Sequence, residues 1–352
     1  MRAFLPAGGL AAEPAQPRPG RLERARVVGR LDERRPVRAE VPGIRALRCA
    51  AMDPLAPLQD LPGVDDAVGA ARAAVDRLLS HRVLRRRSAE VTAESALRGA
   101  RASAVLAGAR ITLPELRRQL ESGGVGSDAP GAGGPVAGGP VAGGPPGQSS
   151  LVGGAVRLYA DLGTLLGPWE HAPRQVLARM HVLAVKGRLD DGLLGRPRDA
   201  GPAAGTDPDD RLDLGPLPAP AVLTSRLADL SRLLLAPTRT SAIVTAAVVH
   251  GELLALRPFP QASGLIARAA ARLVLVSRGL DPKSVSVPEV GHLELEADYA
   301  GSARAYISGT AEGVARWLGH CARAVELGAQ ESVAVCEALR RGAEIRAGAE
   351  DG

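Results

Sequence analysis

The feature that most constrains the fold is a pair of apolar helical segments joined by a short connection that contains two prolines. Residues 240–256 are apolar on nearly every side, RPFPQAS follows them, and a second apolar segment covers 264–278. Pro258 ends the first segment, since proline cannot continue a helix. A helix that is apolar all round must be buried on every side. The pattern therefore predicts a central, buried helix at the core of the protein.

The other periodic segments of the chain are also helical. Apolar residues recur at helical spacing over 64–81 and 88–108, and Thr112 with Glu115 forms a capping box that starts a third helix. Beyond residue 150 we predict helices at 154–166, 173–185, 220–235, 296–308, 310–327 and 330–347. Residues 180–194 are compatible with a short hairpin that turns at Gly187. The chain is predicted to be all-α, with at most a small β-hairpin flap.

Composition divides the chain into four segments. Residues 1–51 are rich in Pro, Arg and Ala without helical or strand periodicity, which predicts a disordered arm or, alternatively, upstream sequence before a true start at Met52. Residues 52–121 carry the N-terminal helices. Residues 122–150 contain a tandem GGPVA repeat and are too poor in side chains to offset chain entropy, which predicts a flexible linker. Residues 151–350 form the main helical domain.

Composition argues against several classes of function. The net charge is +6, but the basic residues are almost all arginine, which fits a GC-rich genome better than phosphate recognition. Aromatic residues make up 2% of the chain, which disfavours nucleic-acid binding through base stacking. The three cysteines form no CxxC pair and the histidines show no metal-ligand spacing, so we predict no metal site and a cytoplasmic location. No apolar run is long enough to span a membrane.

The connection between the two apolar segments has the layout of an anion site. The backbone N–H groups that begin the second helix, around Ser263 and Gly264, carry positive partial charge and suit a phosphate or carboxylate. Arg268, one turn further on, points to the same end. Phe259, the only phenylalanine outside the N-terminal arm, is expected to anchor the turn in the core.

The stretch from His250 to Arg268 resembles the signature of the Fic (Fido) domain family, His-Pro-Phe-x-Asp/Glu-Gly-Asn-Gly-Arg-x-x-Arg. Fic proteins usually carry a His seven positions before the motif His, and His250 lies seven before Arg257. The flanking segments around Tyr299 and Trp317 are also similar, so the resemblance covers 64–327. It implies a Fic-like helical bundle with its motif at 250–268 and, as the family's common activity, transfer of AMP from ATP to a protein hydroxyl. The matching motif residues are Pro258, Phe259, Gly264 and Arg268.

The positions to which the resemblance assigns the chemistry are changed. Arg257 stands in place of the base, and a guanidinium keeps its proton at physiological pH. Gln261 stands in place of the carboxylate that binds magnesium, and its neutral amide is a weak ligand for a hard cation. Ala262 and Ser263 replace the Gly-Asn pair, and Leu265 replaces the first motif arginine.

A second departure concerns a segment that is similar to the inhibitory helix of Fic proteins, Ser/Thr-x-x-x-Glu-Gly/Asn. Ser103, Ala107 and Gly108 occupy its three defined positions, with Ala107 where the glutamate that pairs with the last motif arginine would stand. A chain that no longer transfers AMP has no activity to inhibit, so both losses are expected together.

These residues predict a degenerate Fic-domain protein that lacks AMP transfer and either binds a nucleotide or other anionic ligand or serves as a protein-interaction scaffold. ATP or another nucleotide is the candidate ligand, and magnesium is not expected. The expected ligand contacts are Arg257, Gln261, Ser263, Gly264 and Arg268. Three alternatives stay open: Arg257 pairs with a neighbouring carboxylate, such as Glu252, and seals a dead pocket; the chain is an active nucleotidyl- or phosphoryl-group transferase with altered chemistry; or, least favoured, Arg85 to Arg87 bind DNA.

Overall fold

The computed structural model describes residues 53–123, 148–199 and 211–350, which form thirteen α helices, two short 3-10 segments and no strand. The all-α prediction is confirmed. The helices are α1 Ala56–Gln59, α2 Val64–Leu79, α3 Ser88–Leu106, α4 Leu113–Glu121, α5 Gln148–Ala160, α6 Leu162–Trp169, α7 Pro173–Val185, α8 Pro220–Leu235, α9 Ala242–Leu256, α10 Ser263–Ser277, α11 Pro288–Glu294, α12 Glu296–Ser308 and α13 Ala311–Glu350.

The two apolar segments form the central hairpin, α9 and α10. Every residue of α9 from Ile243 to Leu256 is buried, and the helix packs against α10, α13, α12 and α8. The indole N–H of Trp317 on α13 donates to the carbonyl of Ala247 at 2.8 Å. Gly251 allows this close packing, because a Cβ at that position would lie 2.7 Å from the ring of Tyr306. The apolar pattern thus places α9 where all its sides contact other helices.

The last two predicted helices, 310–327 and 330–347, are one continuous helix, α13. The expected break lay near Gly328, but this glycine is inside the helix. A Cβ there would overlap the carbonyl of Val287, whose own N–H donates to the Gly328 carbonyl at 3.3 Å. The glycine therefore provides room for a neighbouring segment. α13 packs along α2, α11 and α12.

Two other predicted elements differ from the structure. The single helix expected at 154–166 is two helices, α5 and α6, and α5 begins at residue 148, inside the predicted linker. No hairpin forms at 180–194: α7 continues to Val185, and the turn at Gly187 closes only one bridge, between Lys186 and Leu189. The predicted arm at 1–51 and most of the predicted linker lie outside the described residues. No helix in the described part of the chain is long and apolar enough to cross a membrane.

Candidate functional site

The connection between α9 and α10 is bounded by two non-glycine residues with left-handed backbone. Arg257 follows α9 with φ 42°, and Ala262 precedes α10 with φ 62°. The N–H of Arg257 still donates to the Leu253 carbonyl at 2.9 Å, so the helical hydrogen bonding continues to this residue. Such backbone geometry costs about 1–2 kcal/mol for a residue other than glycine. The connection is therefore a tight, defined turn that sets the direction of the Arg257 side chain.

The guanidinium of Arg257 contacts a neighbouring loop of the same chain. Its Nη2 donates to the carbonyls of Gly215 and Pro216, both at 2.9 Å, and the residue is only 7% exposed. Glu252, the example of a neighbouring carboxylate that Arg257 was expected to pair with, is not its partner. That carboxylate belongs to Arg226, whose Nη2 lies 2.8 Å from it. Glu252 is fully buried, and its carboxylate also accepts a hydrogen bond from the hydroxyl of Tyr306 at 2.9 Å.

Arg198 is a component of the site that sequence reasoning missed. Its Nε donates to the carbonyl of Arg257 at 2.9 Å, and its Nη2 donates to those of Leu256 and Pro218. Burial, and secondly the charge of Arg257, lower the pKa of Arg198. Within the described residues its Nη1 makes no hydrogen bond. Arg198 lies in a loop rich in Pro and Gly, where no periodic pattern could single it out.

Arg268 connects the motif to the helix that resembles the inhibitory helix. The residue is buried on α10, and its Nε and Nη2 donate to the Oγ and the carbonyl of Ser103 on α3 at 2.8 and 2.9 Å. Its Nη1 donates to the hydroxyl of Tyr299 at 3.2 Å. A Cβ on Gly264 would lie 3.2 Å from the same Nη1, so the guanidinium lies beside the first turn of α10. Each of these hydrogen-bond partners is neutral.

The remaining residues of the inhibitory-like segment lie at the end of α3. Ala107 is the buried C-cap of the helix, and Gly108 follows with φ 103°. A Cβ on Gly108 would collide with the guanidinium of Arg211, which occupies the space over this residue. Where the resemblance would place a glutamate opposite the last motif arginine, the chain therefore presents a methyl group and a further arginine.

The donor set of the connection does not fit a magnesium ion. Gln261 offers a neutral amide, and its buried Oε1 makes no hydrogen bond within the described residues. Among the described residues, the charged side chains at this connection include Arg257, which is part of it, and Arg198, which bonds to the Arg257 carbonyl, and both are cationic. Mg²⁺ prefers carboxylates and phosphates among its ligands. In the described part of the chain, the only group of three or more His, Cys, Asp or Glu residues with suitable spacing for a metal is His250, His292 and Cys321, and none of them belongs to the connection.

The imidazoles of His250 on α9, His292 on α11 and His320 on α13 form a buried cluster. His250 Nε2 is 2.7 Å from the Tyr299 hydroxyl, and the rings of His292 and Trp317 pack edge-on against His250. His292 Nδ1 is in turn 3.1 Å from His320 Nε2. Burial, and then the charge of Arg268 for His250 and that of His250 for His292, lower the pKa of both rings well below 6.5. Both are neutral at physiological pH.

Solved structures identify the fold. Two similar chains are a Fic family protein from Desulfovibrio desulfuricans G20 and residues 134–508 of Fic-1 from C. elegans, each with a TM-score of 0.57 and 18% identity. The alignments cover 78% of this chain and 75% and 73% of theirs. The chain has the Fic fold. No protein-family model and no curated protein matches the sequence. The fold is thus shared at low identity, and the site residues must be judged by their own chemistry.

Proposed function

We propose that this Fic-fold protein does not transfer AMP and that its motif region binds an anionic ligand, a nucleotide or a related phosphate compound, without a divalent metal. The hydrogen bonding of Arg257 is the observation that supports the absence of AMP transfer. It occupies the position of the base, and its guanidinium is bonded to the carbonyls of Gly215 and Pro216. An arginine has donors only and keeps its proton, so it cannot accept the proton of a target hydroxyl.

Two further arginines support the binding of an anion without a metal. Arg198 and Arg268 are buried, and the hydrogen-bond partners that surround them are backbone carbonyls and hydroxyl groups. A phosphate is a stronger partner for a guanidinium than a neutral oxygen is, since both groups are charged. The N-terminal end of α10 adds positive partial charge next to Arg268. A fixed set of cations could therefore do what a magnesium ion does for ATP phosphates.

Metal-free calorimetry tests the binding. We expect one or more of ATP, ADP, AMP and pyrophosphate to bind in EDTA, and added magnesium not to strengthen the interaction. Two arginine contacts at about 1.5–3 kcal/mol each correspond to an affinity of roughly tens of micromolar to several millimolar. Arg257→Ala and Arg268→Ala should each weaken binding about tenfold or more, while Arg174→Ala, at an exposed position on α7, should not.

A second candidate function is that of an interaction scaffold. It is favoured by the fact that Arg257 and Arg268 already bond to groups of the chain itself, so the fold uses both guanidinium groups without a ligand. In that case none of the four compounds would produce heat, with or without magnesium, and the anion-binding proposal would fail. The other alternative, an active transferase with altered chemistry, predicts incorporation of label from a nucleotide into protein.

A further inference from the structure

Three helices bring two imidazoles and a thiol together inside the core. His250 comes from α9, His292 from α11 and Cys321 from α13. Each offers one ligand atom, and the three atoms all lie within 4.8 Å of one another. All three residues are buried, with exposed fractions of 1%, 4% and 5%. They are separated by 42 and 29 positions in the sequence, so no short motif reveals the cluster.

A small cavity borders the same residues. It holds about 20 Å³ and is lined by the three residues together with Arg268, Arg272 and Glu289. A space of about 10–15 Å³ already accommodates one water molecule, so this cavity has room for a single ion or water. Glu289 is 1% exposed, and within the described residues its Oε1 makes no hydrogen bond. A buried carboxylate oxygen without a partner is costly, which points to a missing group in this cavity.

We propose that His250, His292 and Cys321 bind one thiophilic transition-metal ion, copper(I) or zinc(II). A thiolate with two imidazoles is a donor set that suits both ions. Binding replaces the proton of the Cys321 thiol by the metal ion and releases that proton to solvent. The site shares His250 with the 250–268 segment and its cavity borders Arg268, but none of its three ligands is a residue proposed to contact the anion.

The hydrogen bonds around the two rings agree with a ligand role. One nitrogen of each ring already has a partner: Nε2 of His250 meets the hydroxyl of Tyr299, and Nδ1 of His292 meets Nε2 of His320. If both hydrogen bonds are kept, Nδ1 of His250 and Nε2 of His292 are the nitrogens that would bind the metal. Histidines that bind metals usually donate their second N–H to such a partner, which fixes the ring and its tautomer.

Charge favours copper(I) over zinc(II) at this site. A copper(I) ion and the Cys321 thiolate cancel, whereas a zinc(II) ion would leave one positive charge beside Arg268. Arg272 does not add to the imbalance, because it is paired with Glu289 at 3.1 Å. A zinc(II) ion would therefore depend more than copper(I) on the negative charge of the Glu289 carboxylate, whose Oε1 makes no hydrogen bond within the described residues.

Metal stoichiometry tests the proposal. The full chain would be expressed in medium supplemented with copper or zinc, and separately loaded as purified protein under reductant with buffered Cu⁺ or Zn²⁺, then desalted and analysed by elemental mass spectrometry. We expect about one equivalent of copper, and a smaller or equal amount of zinc. A cobalt(II)-loaded sample should show a thiolate charge-transfer absorption.

Variants decide whether these three residues are the ligands. Cys321→Ser and His292→Ala should each lose the metal and the cobalt absorption. Cys336→Ser is the matched control, since Cys336 is also buried on α13 but lies outside the cluster, and it should keep both. The proposal is overturned if the full chain retains no metal by either route, or if Cys321→Ser retains as much as Cys336→Ser. Retention of a metal that does not depend on His292 would overturn it as well.

Discussion

At the scale of single residues, the connection between α9 and α10 carries an arginine that tethers two segments of the chain. Arg257 sits at a left-handed position and reaches the carbonyls of Gly215 and Pro216. The Nε of Arg198 in turn donates a hydrogen bond to the backbone carbonyl of Arg257. The position of Arg257 relative to the Fic signature could be proposed from the sequence, because the matching residues fix the register of the resemblance. The contacts of Arg257 and the role of Arg198 could not, since both depend on loops that carry no periodic signal.

Substitutions of Arg257 should separate its side-chain bonds from its backbone strain. Arg257→Ala loses the bonds and keeps the left-handed backbone, so we expect it to lower the free energy of unfolding by about 1–3 kcal/mol. Arg257→Gly loses the same bonds but relieves the backbone, and should be more stable than the alanine variant by about 1 kcal/mol. Urea unfolding measures both. A glycine variant that is less stable than the alanine variant would contradict the role given to the backbone.

At the scale of elements, helix positions were largely predictable and their connections were not. The segments at 173–185, 220–235 and 296–308 match α7, α8 and α12, because proline or acidic residues mark their starts and apolar periodicity marks their length. The break predicted between the helices 310–327 and 330–347 includes Gly328, which instead makes room for the Val287 carbonyl. A glycine inside a helix has the same sequence signature in both situations, so only the packing distinguishes them.

The start of the described region is tied to the segment before α9 through Asp53. Its carboxylate accepts hydrogen bonds from the backbone N–H groups of Arg239 and Thr240 and from the hydroxyls of Thr238 and Thr240. Burial opposes ionisation, but these bonds prevail and lower the pKa of Asp53 from 3.8 to about 2. Its contribution to stability is therefore complete above pH 3.8 and is lost as the pH falls toward 2.

Removing this tie should destabilise the protein, whereas removing residues 1–51 should not. A chain that begins at Met52 should melt at the same temperature as the full chain, because residues 1–51 show no periodic apolar face. Asp53→Asn in either chain should cost about 1–2 kcal/mol at pH 7, after allowance for partial exposure. Thermal unfolding of the four proteins checks this. A lower melting temperature for the shortened chain alone would mean that residues 1–51 contribute to the folded core.

At the scale of the whole molecule, the Fic fold is retained while its centre is rich in cations and neutral imidazoles. The fold itself could be predicted from the apolar pair and the surviving motif residues. The cluster of His250, His292 and Cys321 could not, because its members meet only through the packing of α9, α11 and α13. Each histidine alone is indistinguishable from a structural core residue.

The buried histidines should make the free energy of unfolding decrease as the pH falls. Burial lowers the pKa of His181 and His320 to about 4. In the unfolded chain these rings take up protons near pH 6.5, so stability is complete above pH 6.5 and falls progressively toward pH 4. At about 1.4 kcal/mol per pKa unit, the loss should reach a few kcal/mol by pH 4.

Urea midpoints between pH 7 and 4 measure this dependence. His320→Gln should flatten the curve, and His171→Gln, at an exposed position, should leave it unchanged. An equal slope in all three proteins would show that other groups cause the acid sensitivity.

The most direct measurement of the central claim is transfer of label from ATP. The purified chain would be incubated with magnesium and ATP labelled in the α-phosphate, alone and with lysate proteins, beside an active Fic protein as positive control. Because Arg257 cannot accept a proton and Gln261 offers no carboxylate to magnesium, we expect no label on the chain or on other proteins. Robust incorporation that disappears in Arg268→Ala would contradict the account and identify an active transferase.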